Sequence, residues 1–125
     1  MASILALMLK IFAVPASAED KPSGLVRKVN TFMHRNLGSA LSLADLAGSA
    51  GLSKYHFLRR YRQETGKTPI RTLWEMRCAE AVSLLKYTAL PIKEIAIRTG
   101  FSDSAHFSRR IKEFSGKYPR SFRKN

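Results

Sequence analysis

Arg59-Arg60 and Arg109-Arg110 are the side chains in this sequence best suited to gripping another molecule. Each pair follows a His-Phe dipeptide, His56-Phe57 or His106-Phe107, and each precedes a Gly-Lys and a Pro, at Gly66-Lys67 and Pro69 or at Gly116-Lys117 and Pro119. A guanidinium is a planar fork of donors that stays charged, and it can bond a phosphate, or the O6 and N7 edge of guanine, through two hydrogen bonds at once. The surroundings suit the same kind of ligand. The 125 residues carry 22 Lys and Arg against 9 Asp and Glu, a formal charge of +13, and residues 51 to 125 hold 17 of those cations against 6 acids. Such a surface favours a polyanion; nucleic acid is the first candidate, and an anionic membrane surface or plain solubility would also accommodate the charge.

Other chemistries have little to work with. His34, His56 and His106 form no ligand cluster in sequence, so helix-end packing or phosphate contact is expected of them and no metal is. Cys78 is the single cysteine, which excludes an intrachain disulfide and zinc-finger spacing and suits a reducing cytosol. It reads as a small helix residue. No G-x-x-x-x-G-K-[ST], H-E-x-x-H or G-x-S-x-G pattern is present, so neither an enzyme nor a cofactor is expected.

The elements that must position the arginines are helices. Leu25, Val29, Phe32 and Met33 recur at helical spacing up to about Asn36, where Gly38 can end the helix. Ser42 with Asp45 at its third position can cap a short helix with Leu43, Leu46 and Ala47 inward. Gly51 turns the chain, and Ser53 caps a helix from Lys54 to Glu64 that buries Phe57 and Tyr61. Thr68-Pro69 starts a helix running to Lys86, with Ile70, Leu73, Trp74, Ala81, Leu84 and Leu85 on one side, and its length is roughly 27 Å at 1.5 Å per residue. Arg77 lies in or beside that stripe and is expected to snorkel or to form an ion pair. Pro91 opens another short helix with Ile92, Ile95 and Ala96 inward, Gly100 turns, and a helix from about Asp103 to Ser115 buries Phe107, Ile111 and Phe114. Pro119 begins a last turn ending near Arg123. No segment alternates as a strand would, so the fold class is all-α.

This arrangement is one unit used twice. Asp45-Leu46-Ala47 and Gly51-Leu52-Ser53 match Glu94-Ile95-Ala96 and Gly100-Phe101-Ser102 at a shift of 49. One extra residue in the second turn makes the shift 50 for everything from His56 to Pro69. A short helix, a glycine turn and a second amphipathic helix make a helix-turn-helix, whose second helix offers its first residues to base edges in the major groove. The expected boundaries are an extension and linker over 1–24, a first helix-turn-helix subdomain over 25–68, a connecting helix over 69–86 and a second subdomain over 87–125. Residues 1–18 are apolar and end in Ala16-Ser17-Ala18, which is similar to a signal-peptide cleavage site, although Lys10 breaks the run and no cation precedes it. A secreted cationic amphipathic protein is the alternative from another class.

The stretch from Glu94 to Arg123, EIAIRTGFSDSAHFSRRIKEFSGKYPRSFR, resembles the C-terminal signature of AraC/XylS-type bacterial transcription regulators, and Arg77 with Ala81, Leu84 and Leu85 is similar to that family's linker helix. The resemblance covers roughly residues 25 to 123. It implies about seven helices, with two recognition helices entering successive major grooves on one face of double-stranded promoter DNA. It further implies base-facing roles for Tyr55, Leu58 and Arg59 in the first recognition helix and for Ser104, Ala105, His106, Ser108 and Arg109 in the second. Leu58, Ser104 and Ala105 depart from the family's longer polar readers, and Ile111 replaces its usual aromatic. Lys54, Arg62, Lys67, Lys93, Lys112 and Lys117 are expected on the DNA backbone. RNA polymerase is a further partner implied only by the resemblance. The central helix is shorter than a DNA turn of about 34 Å, but the recognition helices lie beyond its ends, so a cytoplasmic monomer reading two half-sites is expected. About 24 residues precede the first helix, too few for the sensory domain many members carry. Control without a bound effector, or a remnant of a longer effector-responsive regulator, is expected accordingly.

Overall fold

A computed structural model of the protein describes residues 24–123; the signal-like run and all of the linker up to Ser23 lie outside them. Among the described residues the order is α1 (Gly24–Arg35), α2 (Leu43–Ser49), α3 (Lys54–Thr65), α4 (Pro69–Tyr87), α5 (Ile92–Arg98), α6 (Ser104–Ser115) and a 3-10 helix (Pro119–Arg123), with no strand. The seventh element is thus a 3-10 turn.

Local chemistry accounts for the boundaries. Ser42 and Asp45 form a reciprocal capping box, with Asp45 N donating to Ser42 Oγ at 3.1 Å and Ser42 N donating to Asp45 Oδ2 at 2.9 Å. Thr68 caps α4 by accepting from Arg71 N at 3.1 Å, and Pro69 occupies the first position, where a missing N–H costs nothing. At 19 residues α4 is about 28 Å long. The repeat extends to its C-terminal caps. Gly66 and Gly116 end α3 and α6 in left-handed conformations, φ 78° and 83°, and Thr65 and Ser115 each accept from the N–H two residues on and donate back to the carbonyl four residues earlier.

The core falls into two clusters strung along α4. The first holds Val26, Val29, Met33, Leu37, Leu46, Ala47, Phe57, Tyr61 and Leu73. The second holds Cys78, Ala81, Leu85, Ile95, Ala96, Phe101, Phe107 and Ile111. α4 therefore gives Leu73 to one side and its later residues to the other. Arg123 closes the second cluster, donating from Nε to Leu85 O at 2.8 Å and capping the last turn of α4. Cys78 is buried and burial pushes its thiol up to about 11, so it is inert packing.

Three expectations need correcting. In α1, Val29 and Met33 are buried as expected, but Val26 joins them in place of Leu25, and Leu25 and Phe32 only pack against the edge. Phe114 is 46 % exposed: its phase on α6 is right, but it sits at the rim of an open cleft lined by Ile70, Trp74, Cys78 and Arg110, where nothing covers it. Arg77 neither snorkels nor pairs with a carboxylate. It is 4 % exposed, donates from Nε to Leu37 O at 2.9 Å and from Nη2 to Ser39 O at 2.6 Å, and stacks over Trp74 with Cζ 4.6 Å from the ring centroid. Carbonyl oxygens and an aromatic face replace the water that burial removes.

Candidate nucleic-acid interface

α3 and α6 present one design on two helices. Buried residues at 57 and 61, or 107 and 111, pin each helix to its core. At 100° per residue the opposite side of α3 carries Tyr55, Arg59 and Arg62, and that of α6 carries Ala105, Arg109 and Lys112; all six are exposed. Leu58 and Ser108 flank these stripes and are half-buried, and Lys54 and Ser104 are exposed at the first helical position. Tyr55 stands out with 71 % of its surface exposed.

Each arginine pair divides its work. Arg60 bonds Glu64 at 3.2 Å, and Arg110 stacks over Trp74 at 4.9 Å while lying 3.9 Å from Glu113. Arg59 and Arg109 have no side-chain hydrogen bond or ion pair within the described residues, so their forks are free for a ligand. Helix phase separates the two members of each pair, because adjacent residues differ by 100° and Arg59 and Arg109 fall off the side buried through 57/61 and 107/111; what Arg60 and Arg110 hold instead is visible only in the structure.

The other predicted residues separate into groups. His106 turns inward, its imidazole 5.1 Å from Trp74 and 5.5 Å from Phe101, so it seats α6 rather than facing outward with the base-facing set. Its counterpart His56 is exposed, with the ring of Tyr55 6.2 Å away. Lys67 is tied to Glu75 at 2.8 Å, and that hydrogen bond holds the Glu75 carboxyl below its ordinary value. Lys112 donates to Gly116 O at 2.9 Å and lies over Tyr118, and Lys117 lies over Phe122. Lys54, Arg62 and Lys93 are exposed and make no side-chain hydrogen bond or ion pair among the described residues.

The two helix starts differ electrostatically. Ser53 caps α3 with a neutral hydroxyl that accepts from His56 N at 3.3 Å, beside Lys54. Asp103 caps α6, accepting from His106 N at 2.7 Å, and that backbone hydrogen bond holds its carboxyl below the ordinary value. An anion therefore meets a favourable dipole end at α3 and a carboxylate at α6. α3 also has a polar anchor, since Tyr61 Oη donates to Asn30 Oδ1 at 2.7 Å, where α6 has only buried Ile111.

Asp45 and Asp103 are both depressed by hydrogen bonds to backbone N–H groups. A group depressed in the folded state gives its full stabilisation above its unfolded value and loses it as pH falls through the folded value. Stability is expected to be level from neutral pH to about 5 and to decline below about 4. In pH-dependent urea unfolding, Asp45→Asn with Asp103→Asn flattens that decline; an unchanged acid limb would contradict the capping account.

Two glycines hold the units together. Gly100 has φ 90°, and a Cβ there would lie 2.7 Å from Arg77 Nε and 2.9 Å from Leu37 O. A Cβ on Gly38 would lie 2.6 Å from Arg98 O. The α1–α2 loop thus meets the α5–α6 turn backbone to backbone, with the Arg77 guanidinium set between them.

Two helix-turn-helix units joined by a helix, each with a free arginine on an outward stripe, define a DNA-binding domain. A family model described as a helix-turn-helix domain matches residues 46–125. The chain is similar to a transcriptional regulator of the AraC-type DNA-binding kind from Chromobacterium violaceum, at 29% identity and TM-score 0.74, over 79% of this chain and 88% of that one. It is also similar to the DNA-binding domain of AdpA, a global transcriptional factor solved in complex with a target DNA, at 27% identity and TM-score 0.75, over 81% of this chain and 91% of that one. The Msm operon regulatory protein of Streptococcus mutans is 31% identical over 123 residues, which is 97% of this chain and 44% of that protein. The chain belongs to the AraC-type helix-turn-helix family of DNA-binding transcription regulators. It spans under half the length of that curated relative.

Proposed function

We propose that residues 24–123 read a two-part DNA site as a monomer, with α3 and α6 in successive major grooves on one face of the duplex. The observation that carries this reading is the pair of outward stripes, Tyr55/Arg59/Arg62 and Ala105/Arg109/Lys112, in which the same arginine of each pair makes no side-chain hydrogen bond or ion pair among the described residues. Arg59 and Arg109 bond guanine edges, Tyr55 and Ser108 add contacts beside them, and Leu58 and Ala105 meet thymine methyl groups. Ser104 lies at the helix start where a base edge or a phosphate can be reached. Lys54, Arg62 and Lys93 bind phosphates and set register. Lys67, Lys112 and Lys117 add long-range attraction while their ammonium groups serve the fold. His106 seats α6 and leaves the reading set.

The setting is cytoplasmic promoter DNA, and the domain acts by binding, with no catalytic step and no effector assigned to it. No described helix is long and apolar enough to cross a membrane. Contact with RNA polymerase belongs to the same proposal and would use the faces that the two stripes leave free. Footprinting on a bound duplex tests the arrangement. Protection of about two turns, on one face, is expected; protection confined to a single groove would exclude it.

A further inference from the structure

A continuous chain of contacts runs from the first unit to the recognition helix of the second. It starts at Leu37 O and Ser39 O, in the loop between α1 and α2, which accept from the Arg77 guanidinium. Arg77 stacks on Trp74, and the same indole meets Phe101 at 5.2 Å, His106 at 5.1 Å and Arg110 at 4.9 Å. Phe101 belongs to the turn, while His106 and Arg110 belong to α6. Gly100 lies directly against the guanidinium, and Gly38 against Arg98 O. α4 joins the two units and each core cluster packs on its own stretch of it, so the angle at this hinge depends on the contacts that cross the junction. Arg77 and Trp74 both belong to α4 and stack on each other, so the second side of that hinge is closed by what each holds: Arg77 the carbonyls of the α1–α2 loop, and Trp74 the rings and guanidinium of the second unit.

We propose that Arg77 is the positioning residue that fixes the angle between α3 and α6, and so sets the separation of half-sites the protein accepts. The inference rests on the two-groove reading above and deepens it. Arg77 touches no DNA in this account: it is buried, and its fork is spent on Leu37 and Ser39. A planar fork is required, because one group must reach two carbonyls and keep its face on an indole. Lysine can supply one bond and no stacked plane, so Arg77→Lys is expected to restore only part of the effect.

The test has two arms. In the first, spin labels are placed on the exposed, equivalent positions 63 and 113, as Gln63→Cys and Glu113→Cys in a Cys78→Ser background, and the inter-label distance distribution is measured without DNA. A narrow distribution is expected for the parent, and Arg77→Met is expected to broaden it about twofold while helical content is kept. In the second, the duplex recovered by selection from a random pool is remade with its two blocks moved apart or together one base pair at a time. The parent is expected to prefer one separation by about 10-fold, since a wrong separation must be met by bending or twisting the DNA. Arg77→Met is expected to reduce that preference to within about threefold and to leave affinity for each single block unchanged. An unchanged distance distribution together with an unchanged separation preference would overturn the proposal, as would a uniform loss at all separations. A parent with no separation preference would sink the two-groove reading, while the label arm would still decide what Arg77 does to the hinge. Should Arg77→Met fail to fold, Gly38→Ala forces the same junction open from Arg98 O: a changed distribution or preference supports the proposal, and none overturns it.

Discussion

Alanine at Gly100 is expected to lower the unfolding free energy by about 3–5 kcal/mol, whereas alanine at Gly66 lowers it by only about 1–2 kcal/mol. Both glycines have positive φ, 90° and 78°, so any side chain at either pays a similar backbone strain. Their surroundings differ. A Cβ at Gly66 meets nothing within 4 Å, while one at Gly100 would fall 2.7 Å from Arg77 Nε, 2.8 Å from its Cζ and 2.9 Å from Leu37 O. The guanidinium cannot move without giving up bonds, since Leu37 O and Ser39 O hold it on one side and Trp74 stacks on the other. Moving it leaves a buried charge short of partners, and breaking a buried charged network costs about 3–5 kcal/mol. A domain of about 100 residues has roughly 5–15 kcal/mol to lose, so the substitution removes a large part of it. Urea denaturation of the two variants checks this; equal losses would show that Arg77 can relocate freely and that the junction is loose.

Arg59→Ala is expected to weaken binding to a matched duplex by about 1–3 kcal/mol, roughly 5- to 150-fold, with a smaller loss on a scrambled one. Arg109→Ala is expected to behave in the same direction with a smaller loss. The difference follows from the helix starts. Arg59 stands next to Tyr55, whose exposed ring reaches outward, behind a neutral Ser53 cap and Lys54. Arg109 stands next to Ala105 and within the field of the Asp103 carboxylate, which it helps to keep ionised. Arg62→Ala is the control: loss of one phosphate contact weakens matched and scrambled duplexes alike and lowers the salt slope by about 1. Lys112 is a poorer control, because its ammonium also caps Gly116 O. Among the described residues neither Arg59 nor Arg109 makes a side-chain hydrogen bond or ion pair, so melting temperatures should hold. Equal losses on both duplexes for Arg109→Ala would move that residue to the backbone-binding group.

What could be read from the sequence was whatever depends on neighbours in the chain. Ser42, Ser53, Thr68 and Pro69 start helices by local hydrogen bonding and φ preference, and the structure begins α2, α3 and α4 where they require. The repeat gave the two units and the paired inward positions 57/107 and 61/111. What escaped depends on elements far apart. The partners of Arg77 are backbone carbonyls 40 and 38 residues away, and every residue has a carbonyl, so no residue type marks them. Gly38 reads as a helix stop, yet the pressing reason for glycine is the approach of Arg98 O from the other unit. His106 falls among base-facing positions until Trp74 and Phe101 are seen beside it. Phe114 has the correct phase for burial, and only the packing of α4 against α6 shows that the cover ends before it.

The central claim is that one chain reads two DNA segments through two frames held in fixed relation. Selecting bound duplexes from a random pool at moderate salt, followed by sequencing, tests it most directly. Two short enriched blocks are expected, about one helical turn apart and without twofold symmetry, with one protein bound per duplex. A single enriched block, a palindrome occupied by two proteins, or no enrichment over the starting pool would contradict it.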